Sequence, residues 1–284
     1  MRGSVVKFPL LEHLGVGDVD IDFEHARKLD MYQYVKRGTW SYEPDVLATL
    51  LCLLTGRPHS RFINVGANMG YFSILVKKLF GEQVEVFAYE PMPDLALRLR
   101  KAEQRNEIDL NLSDAALSDF QGTAPFHLSA KSDTSNSLNP DFRPAKEVVE
   151  VAVTTLDAEF PKPARGRFSL PGRGPRETPT VLLIDTESTE PSVLRGGLEF
   201  IDRVQPAIIC EVLAGRTEVD LSRIVEQIGY RSYALTDHGP ELRTEVVGDV
   251  TYQHRDWLFL PRDAPEVERA QFEATFEILT PDGP

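Results

Sequence analysis

The 284-residue chain predicts an α/β fold, a doubly wound and mostly parallel sheet with helices on both faces. Three observations carry that expectation. Short apolar runs alternate with helical patterns from Phe62 to Leu260, as in chains built from βαβ units. One such unit, Arg61 to Pro91, is complete, with a glycine-bearing turn between its first strand and its helix. Carboxylates stand at or just past strand ends at Glu90, Asp114, Asp185 and Glu211. Ligands of open parallel sheets sit at that rim.

The elements follow in order. Residues 1–40 read as a solvated arm with acids at Asp18, Asp20, Asp22 and Glu24, and alternating Val19, Ile21 and Phe23 predict a short strand. Glu43-Pro44-Asp45 opens a helix through VLATLLCLL that Gly56 and Pro58 end; being apolar nearly all round, it is expected to be buried. Phe62–Val65 predicts a strand covered on both faces, Tyr71–Phe80 a helix, and Val84–Tyr89 a second strand. Asp94 is expected to cap a helix over Leu95–Arg105, and Ile108–Leu112 reads as a third strand. From Gln121 to Thr155 the period changes to two, with Ala124, Phe126, Leu128 and then Val149, Val151, Val153. That predicts a small antiparallel insertion around a polar loop, Ser132–Ser137. Residues 161–179 hold five prolines, three glycines and five basic residues without periodicity. A surface loop is the plain reading; a lid over an acidic or sugar substrate is the sharper one. Val181–Ile184, Ala207–Cys210, Arg231–Leu235 and Trp257–Leu260 supply the remaining strands. Glu190-Pro191 opens a helix that Gly196-Gly197 loosens, and Leu221–Ile228 forms another that Gly229 stops. The expected organisation is an N-terminal arm and helix (1–58), a ligand-binding catalytic domain (59–262) and a C-terminal tail (263–284).

Composition sets bounds. With 42% hydrophobic and 26% charged residues the chain is ordinary globular material. Its net charge of −13 argues against nucleic acid and anionic membrane surfaces. No apolar run is long enough to span a bilayer and no signal-peptide pattern opens the sequence, so a cytoplasmic protein is expected. Cys52 and Cys210 both sit in apolar runs and read as buried reduced thiols. A homo-oligomer is compatible with the sequence.

The βαβ unit narrows the ligand. Gly66 and Gly70 allow a tight turn and close approach of backbone to ligand, and the helix beginning at Tyr71 offers unpaired N–H groups. Glu90, twenty residues past Gly70, ends the second strand where an acid can take both hydroxyls of a ribose. The turn reads G-x-N-x-G. Asn68 stands where a dinucleotide fingerprint has its middle glycine, and no Lys follows as in a phosphate-gripping loop. A nucleoside without phosphates, such as S-adenosylmethionine, fits better than NAD(P); a structural βα turn is the plain alternative.

In family order, the stretches FINVGANMGYFS, AYEPMP, AALSDFQG, the SNSL loop, VTTLD, LLIDTESTEPSVLRGG and IICEV resemble the FkbM-type family of S-adenosylmethionine-dependent methyltransferases, over about Trp40 to Leu213. The resemblance implies a class I Rossmann-like fold, a seven-stranded sheet with the last strand antiparallel, and methyl transfer to a hydroxyl oxygen of a small molecule or sugar, of polyketide or glycan type. It also implies site residues. Asn64, Gly66, Asn68 and Gly70 fall on the cofactor turn with Tyr71 opening its helix. Glu90 would hold the ribose, Pro91 and Met92 would flank the adenine, and Asp114 with Ala115 would reach its edge. Asp185 and Glu187 fall on the acidic motif facing the methyl group. Two positions depart from the family pattern: Asn64 stands where an acid is usual, and Ser188-Thr189 replaces a small Gly-Ala pair.

The acids suggest the chemistry. Transfer from a sulfonium is an in-line displacement in which the protein aligns the reacting centres, and a hydroxyl acceptor gains nucleophilicity when a carboxylate takes its proton. Asp185 is the first candidate base, Glu187 the second and Glu211 the third. For Asp185, helix capping or a contact to the cofactor ammonium is the plain alternative. For Glu43 helix capping is the plainer reading and a cofactor contact the sharper one. Oxygen-rich Asp185, Glu187 and Glu211 would also suit Mg²⁺, but no histidine pair has metal-ligand spacing and no metal site is assigned. His238 and His254, in late loops, read as solvated residues first and bases second. An NAD(P)-dependent oxidoreductase and a catalytically silent nucleoside-binding module are the competing functions.

Overall fold

The computed structural model describes residues 5–6, 19–20, 42–130, 135–162 and 177–280. Positions 132–134 of the polar loop and residues 163–176, on which the lid reading rests, lie outside them, as does most of the N-terminal arm. Strands β1 (Val5–Val6) and β2 (Val19–Asp20) pair antiparallel in the arm.

The main sheet is built from β3 (Ser60–Val65), β4 (Val84–Tyr89), β5 (Asn111–Ser113), β9 (Thr180–Ile184), β10 (Ala207–Glu211), β11 (Tyr230–Thr236), β12 (Gly239–Arg243) and β13 (Asp256–Pro261). Its order is β12-β11-β13-β10-β9-β3-β4-β5. Strands β5, β4, β3, β9 and β10 run parallel, and β13 is inserted antiparallel between β10 and β11. This is the class I Rossmann-like methyltransferase arrangement expected above, with one correction: the sheet has eight strands, not seven. The extra strand is β12, which folds back on β11 through a short turn at Asp237-His238. It is half-exposed at the sheet edge and lacks the apolar run that marks a buried strand. The third parallel strand begins at Asn111 rather than Ile108.

Helices cover both faces because the central strands are apolar on both. One face carries α1 (Pro44–Leu54), α2 (Tyr71–Phe80), α3 (Pro93–Arg105) and α8 (Arg269–Leu279), which bury Leu50, Ile74, Leu99 and Phe272 over Phe62, Val86, Val181 and Ile209. The other carries α4 (Leu156–Glu159), α5 (Glu190–Arg195), α6 (Leu198–Val204) and α7 (Glu218–Ile228), packing Leu156, Leu194, Phe200 and Leu221 over Ile63, Leu182, Ile184 and Ile208. Each fully buried Leu, Ile or Phe contributes about 1.5–3 kcal/mol. Asp94 lies inside the first turn of α3; Met92 occupies the cap position without a side-chain bond. Residues 269–279, part of the expected tail, form α8 packed on α1.

The insertion is a separate small sheet in which β6 (Ala116–Leu117) pairs parallel with β8 (Ala145–Thr154), and β8 pairs antiparallel with β7 (Gly122–Ser129). Ala116, Phe126, Leu128, Val151 and Val153 form its own apolar cluster. It stands at the carboxyl ends of the parallel strands, where the order reverses between β3 and β9. That reversal opens a crevice.

Candidate functional site

A cavity of about 860 Å³ occupies the crevice, within the range of small-molecule sites. The turn after β3 forms its floor. There Gly66 N–H and Ala67 N–H donate to Tyr89 O at 3.0 and 2.9 Å. Gly66 adopts φ +86, and a Cβ placed on it would lie 1.8 Å from the Asp185 carbonyl oxygen. The glycine is therefore required for the ends of β3 and β9 to meet, in addition to any approach of a ligand. Gly70, with φ +83, faces Leu99 of α3 and is absent from the cavity wall. Asn68 takes the left-handed conformation, φ +52, that the remaining turn position demands.

Glu90 is the best-organised acid. Asn68 N–H donates to its Oε2 and Met92 N–H to its Oε1, each at 2.8 Å. Each oxygen keeps a further acceptor direction. Burial pushes the carboxyl up to about 7, although both N–H groups pull the other way. Across the cavity, Asp185 N–H donates to Val65 O at 3.0 Å, which ties the end of β9 to the end of β3. Burial raises the Asp185 carboxyl while the Arg255 guanidinium lowers it. Asp185 Oδ1 and Asn68 Oδ1 are buried without a hydrogen-bond partner, an arrangement that calls for a donor from a ligand or water.

The acidic loop after β9 is strained. Glu187 and Ser188 have φ +56 and +84, a conformation costing about 1–3 kcal/mol for non-glycine residues. Glu190, fully buried, holds it: its Oε1 accepts from Thr186 N–H, Thr186 Oγ1 and Ser188 N–H, all at 3.0 Å. The insertion clasps the loop from outside, with Ser137 Oγ donating to Glu187 O (2.7 Å) and Asn139 Nδ2 to Ser188 Oγ (2.9 Å). Burial, then the neighbouring Asp185, pushes Glu187 up to about 9. A glycine would take the Ser188 conformation freely, which gives physical sense to the small residue that the family pattern has there.

Of the residues singled out in the sequence, Asn64, Gly66, Asn68, Tyr71, Glu90, Pro91, Ala115, Asp185 and Glu187 line this one cavity. Asn64 is turned toward α2, its Nδ2 donating to Ser73 Oγ at 3.0 Å. Gly70, Met92, Asp114 and Glu211 do not line it. Asp114 pairs with Arg100 at the surface, and Met92 Sδ accepts from Asn136 Nδ2 at 3.2 Å behind the wall. Glu211 is buried, its Oε1 2.9 Å from Arg255 Nη1.

Several lining residues escaped the sequence reading. Arg255 also donates to Glu43 Oε1 at 3.1 Å and so joins the start of α1 to the end of β10. Burial opposes its charge, yet Glu211 and Glu43 raise its pKa above the ordinary arginine value. Tyr42 and Asp256 close the same side, as does His254, which the sequence offered as a solvated residue first and a base second; Phe126, Leu138, Phe142 and Arg143 come from the insertion. Burial, then Asp45, pushes Asp256 up to about 8. A wall carrying Glu43, Asp45, Glu90, Asp185, Glu187 and Asp256 suits a cationic ligand, and the free oxygens at Asn68 and Asp185 suit one with N–H or O–H donors. S-adenosylmethionine fits both demands. Among the described residues no group of three or more His, Cys, Asp or Glu is placed to hold a metal ion, and no helix is long and apolar enough to cross a membrane.

A family model described as the methyltransferase FkbM domain matches residues 64–245. No curated protein matches the chain in sequence. Similar solved structures include a methyltransferase FkbM from Methylobacillus flagellatus KT, 12% identical with a TM-score of 0.45, where the match covers 82% of this chain and 60% of that one. This chain thus spans 60% of the length of that relative. A SAM-dependent O-methyltransferase from Thermotoga maritima is 9% identical with a TM-score of 0.40, covering 84% and 72%. A SAM-dependent methyltransferase from Aquifex aeolicus is 12% identical with a TM-score of 0.36, covering 78% and 98%.

Proposed function

The chain belongs to the FkbM methyltransferase family, and from that premise we propose that it is an S-adenosylmethionine-dependent O-methyltransferase acting on a hydroxyl of a small molecule or sugar. One observation carries the reading: a cavity at the switch point of the sheet whose wall gathers buried carboxylates around two unpartnered acceptor oxygens. S-adenosylmethionine, when bound, supplies a methyl group already activated on a sulfonium.

The residues divide the remaining work. Glu90 would accept from the ribose hydroxyls, because its carboxylate is oriented by two backbone N–H groups and has acceptor capacity left. Pro91 and Ala115 would border the base, with Met92 supporting from behind. Gly70 shapes the turn, and Asp114 is committed to Arg100. Asp185 is assigned as the group that takes the acceptor hydroxyl proton, since its Oδ1 is buried and unpartnered. Glu187, pushed up to about 9, holds its own proton at neutral pH and would donate a hydrogen bond to the acceptor. Glu211 is assigned to holding Arg255 rather than to proton transfer. A cytoplasmic setting belongs to the same proposal and draws support from two buried free cysteines, Cys52 and Cys210.

The test is methyl transfer from labelled S-adenosylmethionine to a panel of hydroxylated acceptors, with the methylated atom located by mass spectrometry. A methyl group found on nitrogen or carbon, or NADH binding in place of S-adenosylmethionine, would refute the reading. Asp185→Asn should lower kcat by about a hundredfold, the scale of a lost general base, with the affinity for S-adenosylhomocysteine changed far less. Equal losses in both would reassign Asp185 to cofactor binding.

A further inference from the structure

The wall contributed by the insertion differs in chemistry from the acidic floor. Phe142 and Arg143 lie just before β8 and both line the cavity. The Phe142 ring is buried, with the guanidinium groups of Arg143 and Arg216 over it at 4.9 and 5.1 Å from its centroid. Arg216 also donates to Asp141 O at 3.5 Å. Arg255, the other arginine on the wall, is held by two carboxylates. Arg143 has no hydrogen bond or ion pair among the described residues. Glu187, the cavity acid that feels its charge, is pushed up to about 9 by burial and by Asp185, so it stays protonated at neutral pH and leaves that charge unmatched. In a chain of net charge −13, an unmatched guanidinium on the wall of an acidic cavity calls for a partner.

We propose that Arg143 is a specificity-determining residue that binds an oxyanion, carboxylate or phosphate, carried by the hydroxylated acceptor, whose apolar part lies against Phe126, Leu138 and Phe142. The inference rests on the methyltransferase reading above and names its substrate class. Stacking on Phe142 fixes the guanidinium plane and leaves its N–H donors directed outward. The planar fork matches an oxyanion in two parallel bonds, which a lysine cannot reproduce. The anion and the cofactor would then meet different charges on one cavity wall, Arg143 for the first and the carboxylate of Glu90 for the second.

Calorimetry on protein loaded with S-adenosylhomocysteine tests the assignment with two matched pairs of probes: 4-hydroxyphenylacetate against its amide, and glucose 6-phosphate against glucose. The charged member of at least one pair should bind about ten- to a hundredfold more tightly than its neutral counterpart, the scale of hydrogen bonds to an ionised group. The pair showing the gap identifies carboxylate or phosphate. Arg143→Gln should abolish the gap with S-adenosylhomocysteine affinity and thermal midpoint unchanged, and Arg143→Lys should restore part of it. Equal binding within both pairs, no binding of either charged probe, or a gap that survives in Arg143→Gln overturns the proposal. Failure of the wild-type protein to bind S-adenosylhomocysteine defeats the methyltransferase reading, and this inference falls with it.

Discussion

Glu90 shows how one residue can be both a structural knot and a binding group. Its two oxygens fasten the turn after β3 to the start of α3 through Asn68 N–H and Met92 N–H, and its remaining acceptor capacity faces the cavity. Removing it therefore has two expected effects. Glu90→Ala should weaken S-adenosylhomocysteine binding by about 1.5–3 kcal/mol, the scale of hydrogen bonds to a charged group. Glu90→Gln should recover part of this, because the amide oxygen can still accept one N–H and one hydroxyl. Calorimetry on both variants, with circular dichroism to check folding, separates ribose binding from loss of the turn. Unchanged affinity in a folded Glu90→Ala protein would remove the ribose assignment. Ser188 makes the complementary point. Its left-handed backbone persists only because Glu190 and Asn139 hold it from two sides.

At the scale of elements, α8 is the piece most easily misjudged. Phe272, Phe276 and Leu279 are buried on one helix face, and Phe272 packs its ring beneath Gly239 at the start of β12. Phe272→Ala should destabilise the protein by about 3–5 kcal/mol, as truncation of a buried aromatic does, with cofactor affinity retained because α8 contributes no residue to the cavity wall. Urea denaturation measures the first and calorimetry the second; a loss below 1 kcal/mol would mean that α8 is not part of the folded core. The spacing 272, 276, 279 is a helical stripe, yet it is short and set among charges, so the sequence reads there as a tail. Strands β9 and β10 were legible because a strand buried on both faces must be almost wholly apolar, and β3 and β4 because short apolar runs end at the turn and at Glu90. The acids at their ends were legible because they interrupt those runs. Arg255, Tyr42 and Arg143 were not, since each reaches the cavity from a segment far away in the chain and no local period marks it. For Asp114 the position at a strand end was readable, and the partner Arg100 on α3 was not.

The molecule as a whole concentrates acids where water is scarce, and the consequence is a pH dependence of definite sign. Burial pushes Glu90 up to about 7, Asp256 to about 8 and Glu187 to about 9. All three lie above the ordinary carboxyl value near ~4 that holds in the unfolded chain. The unfolded state therefore sheds these protons first. Their contribution to stability is complete below about pH 4 and is lost as pH rises through about 7 to 9, by at most about 1.4 kcal/mol per pH unit for each group. The urea midpoint of the ligand-free protein should accordingly fall from about pH 6 to about pH 9, the window set by these shifted values. A cation in the cavity reverses the preference, because it favours the ionised acids. S-adenosylmethionine and S-adenosylhomocysteine share an ammonium and differ by the positive charge on sulfur, so the ratio of their affinities isolates that charge. The ratio should rise over the same window in favour of S-adenosylmethionine, with proton release visible as a dependence of binding heat on buffer ionisation enthalpy. A ratio that stays flat while both ligands bind would place the sulfonium away from these carboxylates, and Asp185 and Glu187 would then lose their claim to face the transferred methyl group.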